Sequence, residues 1–244
     1  MTRLAGKTAL VTGGATGIGE AIAVALAKEG CRVAIAGRRA EQLGTAAANW
    51  TGQPPLLTHT VDVTDRDSVA KLFAWAKTEL GSIDILVNSA GINTPKRTLG
   101  DMPPETWDQV MQINATGPYN CMLEVLPQMR ERKDGLIINI GSISGKRASM
   151  LGGVAYCASK FALTALSTAA GLEEGKHGIR VTAIHPGEVD TPILEGRLSP
   201  PGPEHRARIL RPEDVAAAAL MVALLPPRAH VAELVIKPTW QDYA

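Results

Sequence analysis

Residues 8–19 read Thr8-Ala9-Leu10-Val11-Thr12-Gly13-Gly14-Ala15-Thr16-Gly17-Ile18-Gly19, and an alanine- and leucine-rich run, Glu20 to Lys28, follows at once. A short apolar strand pattern therefore ends in a glycine-rich turn that opens a helix. Glycines permit a tight turn and close approach of the backbone to a pyrophosphate. The helix start beyond supplies free N–H groups and the positive end of its dipole. Glycine alone is weak ground, because turns collect it. Here the strand before and the helix after supply the context that a dinucleotide site needs. The spacing, Gly13-x-x-x-Gly17-x-Gly19, differs from the commoner G-x-G-x-x-G.

The same alternation continues along the chain. Strand signals fall at 8–12, 32–36, 56–61, 83–88, 136–141, 181–185 and 233–236. Helical patterns lie near 17–29, 40–49, 65–79, 104–131, 153–174 and 213–225. Runs such as Ile85-Leu86-Val87 and Leu136-Ile137-Ile138 are continuously apolar, which suits strands buried on both faces of a parallel sheet. Strict β–α alternation with right-handed crossovers predicts an α/β chain with one doubly wound parallel β-sheet flanked by helices on both faces. Residues 1–244 are expected to form a single domain. One segment, 191–212, breaks the rhythm. It carries Pro192, Pro200, Pro201, Pro203 and Pro212 with Gly196 and Gly202, which forbids one regular helix and predicts a surface loop or lid over the substrate. The pattern at 104–131 is longer than a crossover needs, which leaves part of it for a subunit contact.

Composition narrows the function. Of 244 residues, 45% are hydrophobic and 20% charged, as in ordinary globular proteins. Lysine and arginine number 25 against 24 acids, so bulk charge gives no reason to bind nucleic acid. Four tryptophans, three tyrosines and two phenylalanines leave little for a base-stacking platform. The longest apolar stretch, 215–225, is far short of the ~20 residues that span a bilayer, and the first residues lack the apolar core of a signal peptide. Cys31, Cys121 and Cys157 are far apart, with no C-x-x-C pair to suggest a disulfide framework or a metal site. The expectation is a soluble, cytoplasmic protein without a metal, a nucleic-acid partner or a membrane partner.

The turn at 12–19 resembles the T-G-x-x-x-G-I-G turn of the short-chain dehydrogenase/reductase family, and further signatures stand in that family's order. Asp62-Val63 closes the third strand, where the family holds the adenine ring. Asn88-Ser89-Ala90-Gly91 resembles its N-N-A-G, with Ser89 replacing the second asparagine. Asn114 stands at the family's helix asparagine, and Ser142 follows the fifth strand. Tyr156-Cys157-Ala158-Ser159-Lys160 is a Y-x-x-x-K, and Pro186-Gly187-Glu188-Val189-Asp190-Thr191 is similar to P-G-x-V-x-T. The resemblance covers residues 5–237. It implies a Rossmann-type fold and an NAD(P)(H)-dependent oxidoreductase that interconverts a carbonyl and a secondary alcohol. The catalytic tetrad it implies is Asn114, Ser142, Tyr156 and Lys160. Cofactor contacts would come from Gly13, Ala15, Thr16, Gly17, Ile18, Gly19, Arg38, Arg39, Asp62, Val63, Asn88, Ala90, Gly91, Tyr156, Lys160, Pro186, Gly187, Val189 and Thr191.

The chemistry suits those residue types. Tyr156 and Lys160 are four apart and project from one helix face. An unperturbed tyrosine titrates near 10, and a neighbouring ammonium with a cationic nicotinamide favours the phenolate. Ser142 would donate to the carbonyl oxygen as it gains charge. By resemblance, the Asn114 backbone binds a water that links Lys160 to solvent. Taken singly, each residue has a plainer reading: a solvated pair, a turn serine, a polar helix residue, a strand-end cap at Asp62. The ordered set outweighs those readings. Cys157 reads as a small packing residue and His185 as a strand-end residue near the cofactor.

Cofactor choice turns on Gly37-Arg38-Arg39. NAD-preferring relatives close the second strand with an aspartate that accepts from the ribose hydroxyls. Here Gly37 stands in that place, and the planar Arg38 fork suits a 2′-phosphate, so NADP(H) is favoured and NAD(H) is the alternative. Thr16 stands where NADP-preferring relatives often carry a base. Three loops expected to border the substrate carry Lys96-Arg97, Lys146-Arg147 and Arg197, Arg206, Arg208 and Arg211. They read either as a carboxylate clamp or as solvated charges balanced by Glu195, Glu204 and Glu213. The ending from Ala232 lacks the glycine-rich segment of acyl-carrier-protein reductases and resembles NADP-dependent hydroxy-acid and serine-type dehydrogenases. A homotetramer or dimer is expected through 104–131 and 153–174, with Met111, Ala162, Ala165 and Ala169 as apolar contacts. The competing functions are an NAD-dependent sugar, steroid or secondary-alcohol dehydrogenase, and a silent dinucleotide sensor. A sensor would tend to lose the tyrosine or lysine that this chain keeps.

Overall fold

The computed structural model describes residues 2–242; residues 1, 243 and 244 of the expected domain lie outside them. Seven parallel strands form one sheet: β1 (Thr8–Thr12), β2 (Arg32–Gly37), β3 (Leu57–Thr60), β4 (Ile85–Asn88), β5 (Gly135–Ile140), β6 (Ile179–Pro186) and β7 (Glu233–Ile236). Their order is β3-β2-β1-β4-β5-β6-β7. Every residue of β1, β4 and β5 is buried, because helices cover both faces of these strands. The edge strands β3 and β7 instead alternate between partly buried and exposed positions.

Strand alternation divides the apolar residues between two cores. Val11, Ile35, Val87 and Ile138 face one core, with Ile22 and Leu26 of α1 (Gly17–Lys28), Leu43 of α2 (Ala40–Asn49) and Val215 of α8 (Pro212–Leu224). Leu10, Ala34, Leu86 and Ile137 face the other, with Leu72 and Phe73 of α3 (Arg66–Leu80) and Val125 and Met129 of α5 (Gly117–Arg132). The expected doubly wound sheet is thus the observed one, with strand ends within a few residues of expectation. The strand order reverses at β1 and β4, and in such sheets ligands bind outside the carboxyl ends of the strands at that switch point.

Two segments refine the sequence reading. The helix expected at 104–131 is interrupted. α4 (Pro104–Met111) passes into a π-helical turn, Gln112–Thr116, before α5 begins. Residue 118 is a proline with no N–H, so the Asn114 carbonyl cannot receive the bond a regular helix would give it. Such π turns recur at functional sites. The proline-rich segment forms a 3₁₀ turn, Pro192–Gly196, and the four-residue helix α7, Pro203–Arg206. A bridge between Val189 and Leu210 closes its base.

Candidate active site

A cleft of about 570 Å³ runs along the carboxyl ends of the strands. At one end it is built from backbone. Gly13 and Gly17 have φ of +66° and +58°, conformations that side-chain-bearing residues rarely adopt. A Cβ on Gly13 would lie 2.6 Å from the Ala90 nitrogen, so the turn after β1 lies against the turn after β4. Gly19 does not line the cleft; it packs on the Gly13 carbonyl and lets α1 start this close to the sheet. Thr16 caps α1 in extended conformation without a side-chain bond, and the first-turn N–H groups have no helical acceptor. Backbone donors, a helix N-terminus and room made by absent side chains fit a pyrophosphate.

The end of β2 bears on the second phosphate question. Around Gly37 a Cβ would find open space, and Arg38 and Arg39 line the cleft from exposed positions. Across from them Asp62 accepts from the Thr64 amide at 2.9 Å and hydroxyl at 2.7 Å. Burial works against its charge, but the Thr64 bonds and the nearby Arg38 hold its carboxyl below the ordinary value.

The other end is built from side chains. Tyr156 and Lys160 stand in the first turns of α6 (Val154–Glu174), and Ser142 caps the 3₁₀ turn Ile143–Gly145 that follows β5. All three line the cleft. The Lys160 Nζ donates to the Ile140 carbonyl at 2.8 Å and lies 5.6 Å from the Tyr156 ring centre. Burial pushes the Lys160 ammonium down to about 8. Burial also raises the Tyr156 phenol, against the neighbouring Ser142 hydroxyl and the Arg97 guanidinium, which both lower it. Asn114 is fully buried beneath the cleft rather than on its wall. Its Oδ1 accepts from the Ile92 amide at 2.8 Å, and its Nδ2 donates to the Ile92 carbonyl and to the Ser159 Oγ at 3.0 Å. The side chain thereby ties the loop after β4 to α6.

Apart from Gly19, Asn88 and Asn114, every residue that the sequence assigned to this site lines the cleft. Asn88 is held within the sheet, its Nδ2 2.8 Å from the Asn139 Oδ1. His185 is buried behind Ser142, with Nδ1 3.2 Å from the Ser142 carbonyl, and burial lowers its pKa. Cys157 is buried against Ser149, as a packing residue should be. Of the basic loop residues, only Arg97 and Arg197 line the cleft. Sequence reasoning missed Asn93, Leu151, Glu188 and Gln241. The Gln241 Oε1 accepts from the Glu188 amide at 3.0 Å, and the neighbouring Trp240 indole donates to the Arg208 carbonyl at 2.8 Å, so the C-terminal segment holds both the turn after β6 and the proline-rich loop. No motif announces a contact between segments this far apart. Among the described residues no cluster of three His, Cys, Asp or Glu could hold a metal, and no helix is long and apolar enough to cross a membrane.

Comparison with known proteins agrees with this geometry. A sequence profile described as short chain dehydrogenase matches residues 7–200. An uncharacterized oxidoreductase of Staphylococcus aureus (strain USA300) is 36% identical over 238 residues, covering 98% of this chain and 100% of that protein. Among solved structures, an alcohol dehydrogenase from the archaeon Thermococcus sibiricus, complexed with 5-hydroxy-NADP, superposes with TM-score 0.87 at 27% identity over 97% of this chain and 98% of the other. The closed form of a serine dehydrogenase complexed with NADP+ gives TM-score 0.87 at 32% identity over 97% of each chain.

Proposed function

The chain belongs to the short-chain dehydrogenase family, and from that premise we propose an NADP(H)-preferring oxidoreductase that interconverts a carbonyl and a secondary alcohol on a small polar substrate. The observation that carries this reading is one cleft lined by the glycine turn at one end and by Ser142, Tyr156 and Lys160 at the other. The bound cofactor supplies or takes the hydride. In the reduction, Tyr156 passes its phenolic proton to the carbonyl oxygen while the Ser142 hydroxyl donates to that oxygen as it gains charge. The Lys160 charge stabilises the phenolate left behind. Asn114 fixes the loop and helix on which this geometry depends, and its carbonyl offers an acceptor for a water that returns the proton.

NADP(H) is favoured because no carboxylate ends β2 and Arg38 stands beside the open space at Gly37. The relatives solved with NADP+ and 5-hydroxy-NADP support that choice. The chain acts as one unit in which segment 191–212 covers the substrate, and three buried free thiols suit a reducing, cytoplasmic setting. Neither nucleic acid nor membrane is a partner. A homotetramer or dimer is proposed on the exposed stripe Phe161, Ala165, Ala169 and Leu172 of α6, beside Tyr119 and Leu123 of α5; a monomeric mass in light scattering overturns it. The main test follows the absorbance of reduced nicotinamide with aldehydes, ketones, diketones and oxo acids, using NADPH and NADH separately. Turnover of at least one carbonyl is expected, faster with NADPH. No consumption with either nucleotide across the panel overturns the proposal.

A further inference from the structure

We propose that Arg97 anchors a carboxylate on the substrate, so that the compound reacting at Tyr156 is a short hydroxy or oxo acid. The inference rests on the oxidoreductase reading and names the substrate class of that same cleft. The structure sorts the basic residues of the three loops. Lys146 is 2.5 Å from Glu233, and Arg206 is 2.6 Å from Asp190 and 2.5 Å from Glu195. Arg208 lies 5.3 Å from the Trp240 ring centre. None of these lines the cleft. Arg197 does, but its Nη1 is 2.5 Å from the buried Glu188 carboxylate, which also holds the His205 Nε2 at 2.8 Å. Its charge is already answered.

Arg97 is different. It lines the cleft, and among the described residues no carboxylate lies within 4.0 Å of it. Its Nε donates to the Thr94 carbonyl at 2.7 Å and its Nη1 to the Leu151 carbonyl. These bonds fix the guanidinium plane and use two of its five N–H groups. Three N–H groups and a full charge are left over, because carbonyl dipoles do not neutralise a cation. The residue is also held beside the reacting centre. Its carbonyl accepts from the Val154 amide at 3.1 Å, at the start of the helix that carries Tyr156. Gly153, at φ +79°, makes room for it; a Cβ there would lie 2.5 Å from the Arg97 Cβ. The charge reaches the phenol, whose ionisation it favours, and burial and Arg197 both press Arg97 toward losing its proton. An incoming carboxylate relieves both pressures and meets a planar fork suited to it.

The alternative is that Arg97 merely stitches two loops through carbonyls. Substrate pairs separate the two. The intact protein with its nicotinamide cofactor is offered α-, β- and γ-hydroxy acids and the methyl ester of each, in the wild type, Arg97→Gln and Arg97→Lys. Wild-type kcat/KM is expected to favour one acid over its ester by roughly 10- to 100-fold, the scale of a charge-assisted hydrogen bond. Arg97→Gln should erase that ratio, over and above any loss that acid and ester share through Tyr156, and Arg97→Lys should restore part of it. Calorimetric titration with butyrate and butyramide supplies a second readout. Butyrate is expected to bind the wild type roughly tenfold or more tightly than Arg97→Gln, with butyramide the same for both. Esters as good as acids, or equal loss on acid and ester in Arg97→Gln, overturn the anchor. If nothing turns over with either nucleotide, the oxidoreductase reading falls, and a butyrate isotherm unchanged by Arg97→Gln overturns the anchor as well.

Discussion

The two ends of the cleft are made from different materials. At the nucleotide end, residues 12–19 and 37–39 present backbone, glycine and exposed arginine on turns only a few residues long. At the substrate end, Ser142, Tyr156, Arg97, Glu188 and Gln241 come from five separate segments and meet only through the sheet. At Gly13 and Gly19 the first end tolerates no added atoms, since main chain lies against both. The second depends on individual functional groups, so single side-chain deletions should cost chemistry more than binding.

The largest effect expected tests the substrate end. Tyr156→Phe keeps the ring and removes its only exchangeable proton. Turnover at saturating cofactor should fall by the ~10²–10⁴ of a lost general acid/base, with cofactor affinity nearly unchanged. Near-normal turnover would remove Tyr156 from the chemistry. At the opposite end, Arg38→Ala should weaken NADPH binding by roughly 10- to 150-fold, the equivalent of ~1.5–3 kcal/mol, while NADH binding barely moves. Equal kcat/KM for the two nucleotides in the wild type would reject this role for Arg38.

A backbone change probes the same end. Gly13→Ala forces a side chain into a positive-φ turn 2.6 Å from the Ala90 nitrogen. A cost of about 1–3 kcal/mol is expected for such strain. It should be read as a lower urea midpoint together with weaker cofactor binding. Should the variant match the wild type in both, the two turns do not meet as described.

The smallest effect is a pH dependence. The proposed carbonyl reduction uses the charged Lys160, so kcat/KM should be level below about pH 8 and decline above it. Folding carries the opposite sign. The folded-state pKa of Lys160 lies below its ordinary 10.5, so the charged form is disfavoured in the native protein. Cofactor-free protein should therefore gain stability as pH rises from about 8 toward 10.5, and urea titrations of Lys160→Met should show a smaller gain. A profile flat through pH 9 in both measurements would place Lys160 in a wetter setting than its burial implies.

Much of this was readable before folding because it is local. Continuous apolar runs specify strands covered on both faces, and Leu10 and Val11, or Ile137 and Ile138, serve opposite cores only because neighbouring strand residues point opposite ways. The glycine turn is legible because its backbone demands leave no other residue suitable at Gly13. Tyr156 and Lys160 are one helical turn apart, so their pairing is also a local fact. The interruption at 112–116 had a signal too, in Pro118, although periodicity alone reads 104–131 as one helix.

Tertiary structure decided what local pattern cannot encode. Seven basic residues besides Arg97 look alike in the three loop sequences, and only the positions of Glu233, Glu188, Asp190 and Glu195 determine which charges are answered. Asn88 sits in a recognisable motif yet turns toward Asn139, because parallel register sets it beside that residue on β5. Gln241 reaches Glu188 across 53 residues of chain. Such contacts depend on where whole elements come to rest, and that is settled by packing on the sheet rather than by any spacing along the chain. The sequence alone determined the sheet, the dinucleotide turn and the tyrosine–lysine pair; the packed fold alone determined which cation lining the cleft is left without a carboxylate.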